Sequence, residues 1–221
     1  MALTAATETA NDDLASFVLG VRAFHATYRG RIRDGLDYAQ GAASYAAGGR
    51  ASNTTRAWLS AVASEIFAAD GDGNRCRRYL DEAEAALAVA AEHDDEPWVG
   101  LGVFDAAKLR AYRGGDLSRL GRHREAQHEL TAALDSLPKS ALKHRATAYI
   151  DLAETHLRLN EIEEVCGRAL AALDLTEHTR HADSLRRIKL LHARACGVDQ
   201  KTAPVRRLGE RLLVFAGAGQ Q

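Results

Sequence analysis

Residues 107–138 read AKLRAYRGGDLSRLGRHREAQHELTAALDSLP, and a regular spacing of small and apolar residues organises this stretch. The small residue Gly114 is followed after seven positions by a turn residue, Gly121. Ala126, Leu130 and Ala133 then follow at steps of five, four and three. Small side chains at such a spacing are typical of two helices that meet at a tight turn and pack closely. The stretch therefore predicts a helical hairpin.

The same spacing occurs at three other places, which predicts an array of hairpins. These copies are Ala23, Gly30, Gly35, Ala39 and Ala42; Ser64, Gly71, Cys76, Leu80 and Ala83; and Ala153, Asn160, Val165, Ala169 and Ala172. Stacked helical hairpins generally bind other macromolecules and rarely carry out chemistry themselves.

The remaining segments are placed around this array. Residues 12–215 are predicted to form one helical-repeat domain, in which 184–195 and 203–215 are a last helix pair that caps the stack. Residues 1–11 are small and polar without helical periodicity, so a disordered N-terminus is predicted. The tail 216–221, AGAGQQ, is predicted to be disordered as well. The acidic run 93–96 before a proline is the best candidate for an internal loop.

Composition favours a mostly helical, folded protein, with 46% hydrophobic residues, 27% charged residues and only three prolines. The net charge is −1, so the whole molecule has no electrostatic attraction for nucleic acid or membrane. The charge is unevenly divided, however. Residues 1–175 carry 20 basic and 26 acidic side chains, whereas 176–221 carry 9 basic and 4 acidic ones. The basic end contains Arg186, Arg187, Lys189, Arg194, Lys201, Arg206, Arg207 and Arg211.

Cellular location is predicted from three further features. Cys76, Cys166 and Cys196 lie far apart, and no two of them have metal-ligand spacing, which favours a reducing compartment. The first residues lack the basic start and apolar run of a secretion signal. No stretch approaches the roughly 18 to 20 apolar residues that span a membrane. We therefore expect a cytoplasmic protein that does not contact membranes.

No catalytic, metal-binding or cofactor-binding residue is predicted. His178 and His181 lie one helical turn apart, but two imidazoles alone do not make a metal site. The turn DGDGN at 70–74 begins like a calcium loop, yet Arg75 replaces the glycine that such a loop needs for its bend. None of the common hydrolase, nucleotide-binding or dinucleotide-binding motifs is present. We therefore expect a protein that is not an enzyme.

Residues 107–138 closely resemble a tetratricopeptide repeat, with Gly114, Ala126, Ala133 and Pro138 matching its pattern. Residues 145–173 resemble a weaker copy. Approximately residues 14–215 are similar to the C-terminal half of bacterial helix-turn-helix (XRE-type) transcriptional regulators that carry such repeats. The resemblance implies an all-α fold, a right-handed α-solenoid of about four degenerate hairpins with a C-terminal capping pair. No DNA-binding domain of that family precedes the repeats in this sequence, so DNA binding by this chain alone is not expected.

The resemblance also implies a concave groove, lined by the first helix of each hairpin, for a protein or peptide partner. For Phe24 and Trp58, packing between repeats is an equally good interpretation. The residues that the resemblance places in the groove are Phe24, Tyr28, Trp58, Glu65, Lys108, Arg119, Ile150, Glu154 and Arg158.

The function expected from these features is that of a non-catalytic, protein-binding or peptide-binding module, the sensor or interaction part of a transcriptional regulator. A free-standing adaptor or self-assembling scaffold is an alternative, and a homodimer is left open. A second alternative is a nucleic-acid binder that uses the basic C-terminal helices. The segment 195–208 imitates a helix-turn-helix, but the family resemblance assigns its second half to a closing helix.

Overall fold

The structure is a computed structural model that describes residues 2–8, 11–48, 51–93 and 104–218. In these ranges it is helical without any strand, which confirms the all-α class. The chain divides into two compact units, Met1–Tyr112 and Arg113–Gln221. The helices are α1 (Ala2–Glu8), α2 (Asp12–Tyr28), α3 (Ile32–Ala47), α4 (Asn53–Asp70), α5 (Gly73–His93), α6 (Ala106–Arg119), α7 (His123–Ser136), α8 (Leu142–Arg158), α9 (Ile162–Thr179), α10 (Ala182–Asp199) and α11 (Ala203–Ala218).

The turn residues of the four predicted hairpins share a left-handed backbone conformation. The φ angle is 73° at Gly30, 82° at Gly71, 79° at Gly121 and 60° at Asn160. Glycine reaches this region without a steric penalty, and asparagine is one of the few other residues that tolerate it. Each of the four residues lies in the short connection between the two helices of its hairpin. The turns therefore lie where the spacing predicted them.

The small residues of the repeated spacing lie where the two helices of a hairpin pack together. At the first position of the spacing, Ala23, Ser64 and Ala153 are 0% exposed. Gly114 occupies this position in the third hairpin, where an added Cβ would lie 2.5 Å from Cγ of Leu130. The last position is 0% exposed in every copy, at Ala42, Ala83, Ala133 and Ala172. Larger side chains at these positions would force the helices apart.

In the first unit, α4 is the central helix. It packs on α2, α3 and α5, and every residue from 61 to 68 is buried. A helix that is buried on all sides cannot present one of its faces to a partner. At one contact, the ring of Trp58 lies on Gly20 of α2, where an added Cβ would be 2.5 Å from the indole ring.

In the second unit, α9 packs on α8, α10 and α11. The core between these helices is apolar and is completed by small residues and one cysteine. Its largest fully buried members are Ile150, Val165, Leu173, Ile188, Leu191, Val205 and Leu208. Because Val205 and Leu208 belong to this core, α11 closes the second unit with one face and exposes the other.

The ends of the chain differ from the prediction of disorder. Residues 2–8 form α1, which packs on α2 and buries Ala6 completely. The segment is rich in alanine, which has the highest helix propensity, and it finds an apolar surface to cover. At the other end, α11 continues to Ala218, and the predicted tail residues 219–221 lie outside the described residues. Of the predicted acidic loop 93–96, His93 is the last residue of α5, and the other residues lie outside the described ranges too.

Candidate functional site

A buried ion-pair cluster joins α8 and α10 in the second unit. Nη2 of Arg187 lies 2.5 Å from Oδ1 of Asp151 and 2.9 Å from Oε2 of Glu154. The Nε–H of Arg187 also donates to Oε1 of Glu154 over 3.2 Å. The side chains of Arg187 and Asp151 are 8% and 12% exposed, whereas that of Glu154 is 39% exposed. A buried guanidinium therefore fixes one buried and one accessible carboxylate.

The last turns of α6 belong to the same cluster. Nη1 of Arg119 lies 3.5 Å from Oδ1 of Asp116, and its charge also acts on Asp151. Gly115 of α6 lies beside Asp151, since an added Cβ would be in ordinary contact with Oδ2 of Asp151 at 3.4 Å. We call Asp116, Arg119, Asp151, Glu154 and Arg187 the charged cluster.

The electrostatics of the charged cluster are dominated by the burial of Asp151. Burial raises the pKa of this carboxyl above its usual value of 3.8, and the neighbouring Glu154 adds to the increase. The positive charges of Arg187 and Arg119 act in the opposite direction. With three carboxylates and two guanidiniums, the cluster carries a formal excess of one negative charge. Such an arrangement can orient a charged group of a partner, and Glu154 is its accessible carboxylate.

The accessible face of α8 is polar, and it contains two of the predicted groove residues. Lys143, Thr147, Asp151, Glu154 and Arg158 are spaced so that they lie along one side of the helix. All of them are at least partly accessible, and Lys143 and Arg158 are exposed. Glu154 and Arg158 thus lie on an accessible stripe, and their place in a groove stays a prediction.

Ile150 does not lie on this stripe, so its predicted place in a groove is wrong. Its side chain is 0% exposed and packs in the core of the second unit with Leu173 and Ile188. Successive helix positions differ by about 100° around the axis. The residue next to Ile150, Asp151, therefore points towards the polar stripe and the charged cluster, whereas Ile150 points into the apolar core.

In the first unit, a half-buried apolar stripe runs along α2. Phe17, Val21, Phe24 and Tyr28 are all of intermediate exposure and are spaced along one side of the helix. The rings of Phe24 and Tyr28 are in contact, with centroids 4.5 Å apart. We call these four residues the α2 stripe. It offers apolar and aromatic surface of the kind that anchors partner side chains.

The other groove residues predicted for the first unit are buried. Trp58 is 7% exposed, and its ring lies 5.2 Å from that of Phe17, so the packing interpretation is correct for this residue. Glu65 is 4% exposed and Lys108 is 7% exposed. Burial lowers the pKa of Lys108, and the negative charge of Asp105 opposes this effect. None of these three side chains is available to a partner in this structure.

Sequence reasoning did not identify Asp151 and Arg187 as partners. They are 36 positions apart, and the sequence places Arg187 in the basic C-terminal end. The structure shows that part of this end is neutralised by ion pairs. Arg186 lies 2.7 Å from Asp183, and Arg211 lies 2.6 Å from Asp174.

The structure also places the other motifs that the sequence suggested. In the turn at 70–74, Asp72 accepts hydrogen bonds from the backbone N–H and Nε–H of Arg75, at 2.8 and 2.6 Å. These bonds lower the pKa of Asp72 and cap the first turn of α5. In the described parts of the chain, no three His, Cys, Asp or Glu side chains are grouped to hold a metal ion.

The character of the helices and the relation of the chain to known proteins complete the description. Within residues 2–8, 11–48, 51–93 and 104–218, none of the helices combines the length and the apolar character that crossing a bilayer demands. Searches among protein families, characterised proteins and solved structures found no match to this chain.

Proposed function

We propose that the chain is a non-catalytic module of tetratricopeptide type that binds a protein or peptide segment. In this proposal the four hairpins stack as successive repeats of a right-handed solenoid, and α10 and α11 close it. The proposal is supported by the left-handed turn and the buried small residues that recur in all four hairpins. Local features of this kind are expected where hairpins of one design stack on each other.

One observation supports partner binding most directly, the way in which Glu154 is held. Its carboxylate is 39% exposed, and Arg187 beneath it is buried and anchored by Asp151. Because the Glu154 carboxylate is already oriented, its side chain loses little conformational entropy when a cationic group of a partner binds to it. Arg158, one turn further on, offers the opposite charge, so the stripe can also fix the direction of a bound segment.

Apolar contacts are assigned to the α2 stripe. Phe24 and Tyr28 are half-buried, so they are held in place and still have area to cover. Rigid aromatic side chains of this kind commonly contribute most of the binding free energy at peptide-binding surfaces. In this proposal each unit has a binding surface of its own: the α2 stripe accepts apolar side chains, and Glu154 accepts a basic side chain.

A displayed random-peptide library, selected against the full chain, tests this function. We expect the selected peptides to be enriched in basic or in apolar residues. Glu154→Lys should weaken binding of the peptides with a basic residue roughly tenfold or more, and Phe24→Ala should weaken binding of the apolar peptides by a similar factor. Glu163→Lys is the matched control, because it makes the same charge reversal on an exposed position of α9. Failure to enrich any peptide, or equal binding by all variants, contradicts the proposal.

We assign the module to the effector part of a bacterial transcriptional regulator that acts in the cytoplasm. This assignment rests on the resemblance of residues 14–215 to such regulators. It predicts that removing the coding sequence changes a defined set of transcripts, and that the wild-type chain restores them while Glu154→Lys does not. Unchanged transcripts would leave the binding function intact but remove its role in transcription.

A further inference from the structure

The outer face of α11 combines exposed apolar side chains with basic ones. Leu213 and Val214 are 75% and 65% exposed, the highest values among the large hydrophobic residues described. Arg206, Arg207 and Glu210 are exposed on the same side of the helix. Together these five residues cover an arc of about 120° around the helix axis. The opposite side of α11 is packed in the core of the second unit.

A face of α5 in the first unit has the complementary character. Asp81, Glu82, Ala85, Val89 and Glu92 are exposed and occupy an arc of about 100°. Val89 is 41% exposed, and three carboxylates surround the apolar strip.

A basic residue also lies on the α5 face. Nε of Arg78 is 3.5 Å from Oε1 of Glu82, and both side chains are at least half exposed. Exposed pairs of this kind contribute little to stability, so Glu82 can exchange its partner at small cost.

We propose that the outer face of α11 binds the α5 face of a second copy, so that copies associate head to tail. The spacing of the two faces matches, because Arg206 and Leu213 are seven positions apart, as are Glu82 and Val89. With the two helices parallel, Arg206 lies opposite Glu82 and Leu213 lies opposite Val89. The excess of acids in residues 1–175 and of bases in 176–221 favours the same orientation of the two copies.

Two different faces meet in this contact, which makes the association heterologous. Each copy that is added presents another face of each kind, so growth continues unless a ring closes. The attraction between the exposed charges is screened by salt, with a Debye length of about 10 Å at 0.1 M. Association should therefore be strong at low ionic strength and weak at high ionic strength.

Sedimentation velocity on the full chain, over a range of protein and salt concentrations, tests the proposal. At low salt the average mass should rise with concentration above the 23.9 kDa of one chain, and high salt should reverse the rise. Arg206→Glu and Glu82→Arg should each weaken association about tenfold. An equal mixture of the two variants should associate again, because each variant supplies the charge that the other has lost.

The control variants are Lys139→Glu and Asp135→Arg, which change the net charge equally at exposed positions around the α7–α8 connection. They should associate like the wild type. A constant mass of one chain at low salt overturns the proposal. An effect of Arg206→Glu without one of Glu82→Arg also overturns it, since α11 then meets another surface. Association that requires an added acidic peptide or DNA overturns it in favour of a foreign partner.

Discussion

Arg187 on α10 holds Asp151 on α8 by a contact of 2.5 Å that is almost closed to solvent. Two helices of the second unit are therefore joined by a charge pair as well as by apolar packing. The cost of removing both charges from water is offset only while both partners are present. The pair also holds Glu154 in place, so it connects the stability of the unit to the proposed binding surface.

Arg187→Met should lower the free energy of unfolding by about 3–5 kcal/mol, because it leaves the buried carboxylate of Asp151 without its main counter-charge. The double variant Arg187→Met, Asp151→Asn should recover a large part of this loss in the free energy of unfolding. Urea denaturation at neutral pH measures both effects. Arg186→Met is the control, since its partner Asp183 is exposed, and it should cost less than about 1 kcal/mol. Equal losses of stability in Arg187→Met and Arg186→Met would show that the buried pair contributes no more than the exposed one.

Glu161 should make the stability of the second unit depend on pH. Nδ1–H of His156 donates to Oε2 of Glu161 over 2.7 Å, and Nη1–H of Arg124 donates to Oε1 over 3.0 Å. The bond from His156 is the largest cause that lowers the pKa of Glu161 below its ordinary value of 4.5. A carboxylate with a lowered pKa stabilises the fold above its unfolded pKa, and this contribution is lost as the pH falls through the folded pKa.

Glu161→Gln should therefore reduce the Tm near neutral pH and make little difference in acid. Thermal melts from pH 7 down to about pH 3 measure this dependence. Glu163→Gln, at an exposed position two residues away, should leave the Tm nearly unchanged at every pH. A loss in Glu161→Gln that is the same at all pH values would argue against the ion pair as its cause.

Gly114→Ala and Gly167→Ala should change stability in opposite directions. An added Cβ at Gly114 meets Leu130 Cγ at 2.5 Å and the Leu130 backbone nitrogen at 3.1 Å, so α6 and α7 must separate. We expect a loss of about 1–3 kcal/mol in the free energy of unfolding. Gly167 lies inside α9 with nothing within 4 Å of an added Cβ, so alanine should stabilise by roughly 0.5–1 kcal/mol. Chemical denaturation of both variants tests the contrast.

The turn residues should respond to substitution according to their backbone conformation. Gly121→Ala places a side chain at a φ of 79° and should cost about 1–2 kcal/mol, although nothing lies within 4 Å of the added Cβ. Asn160→Gly should leave the stability unchanged or slightly raise it, because Asn160 has a φ of 60°. An unchanged free energy of unfolding in Gly121→Ala would mean that the turn can rearrange without an energetic cost.

The hairpins could be predicted because their determinants are local. A turn residue and the small residues on either side of it lie within twenty positions, as at Gly114, Gly121 and Ala133. Close packing of two adjacent helices depends on these few residues alone. The spacing therefore predicted the turns at Gly121 and Asn160 and the small residues that pack between the helices.

The candidate site could be predicted only in part, because exposure depends on neighbours that are distant in sequence. Glu65 and Lys108 occupy suitable positions by spacing, but they are covered in the folded first unit. Asp151 and Arg187 reach each other from different hairpins, and a spacing rule within one hairpin does not connect them. At α8, the rule assigned Ile150 to the accessible side, although its side chain is completely buried.

The complete burial of residues 61–68 limits how the first unit can change over time. Almost any replacement in this part of α4 must be matched by replacements in the helices that surround it. Side chains on the surfaces of α2 and α5 are under no such restriction. New partner preferences can therefore evolve at the periphery while the centre of the unit is inherited unaltered.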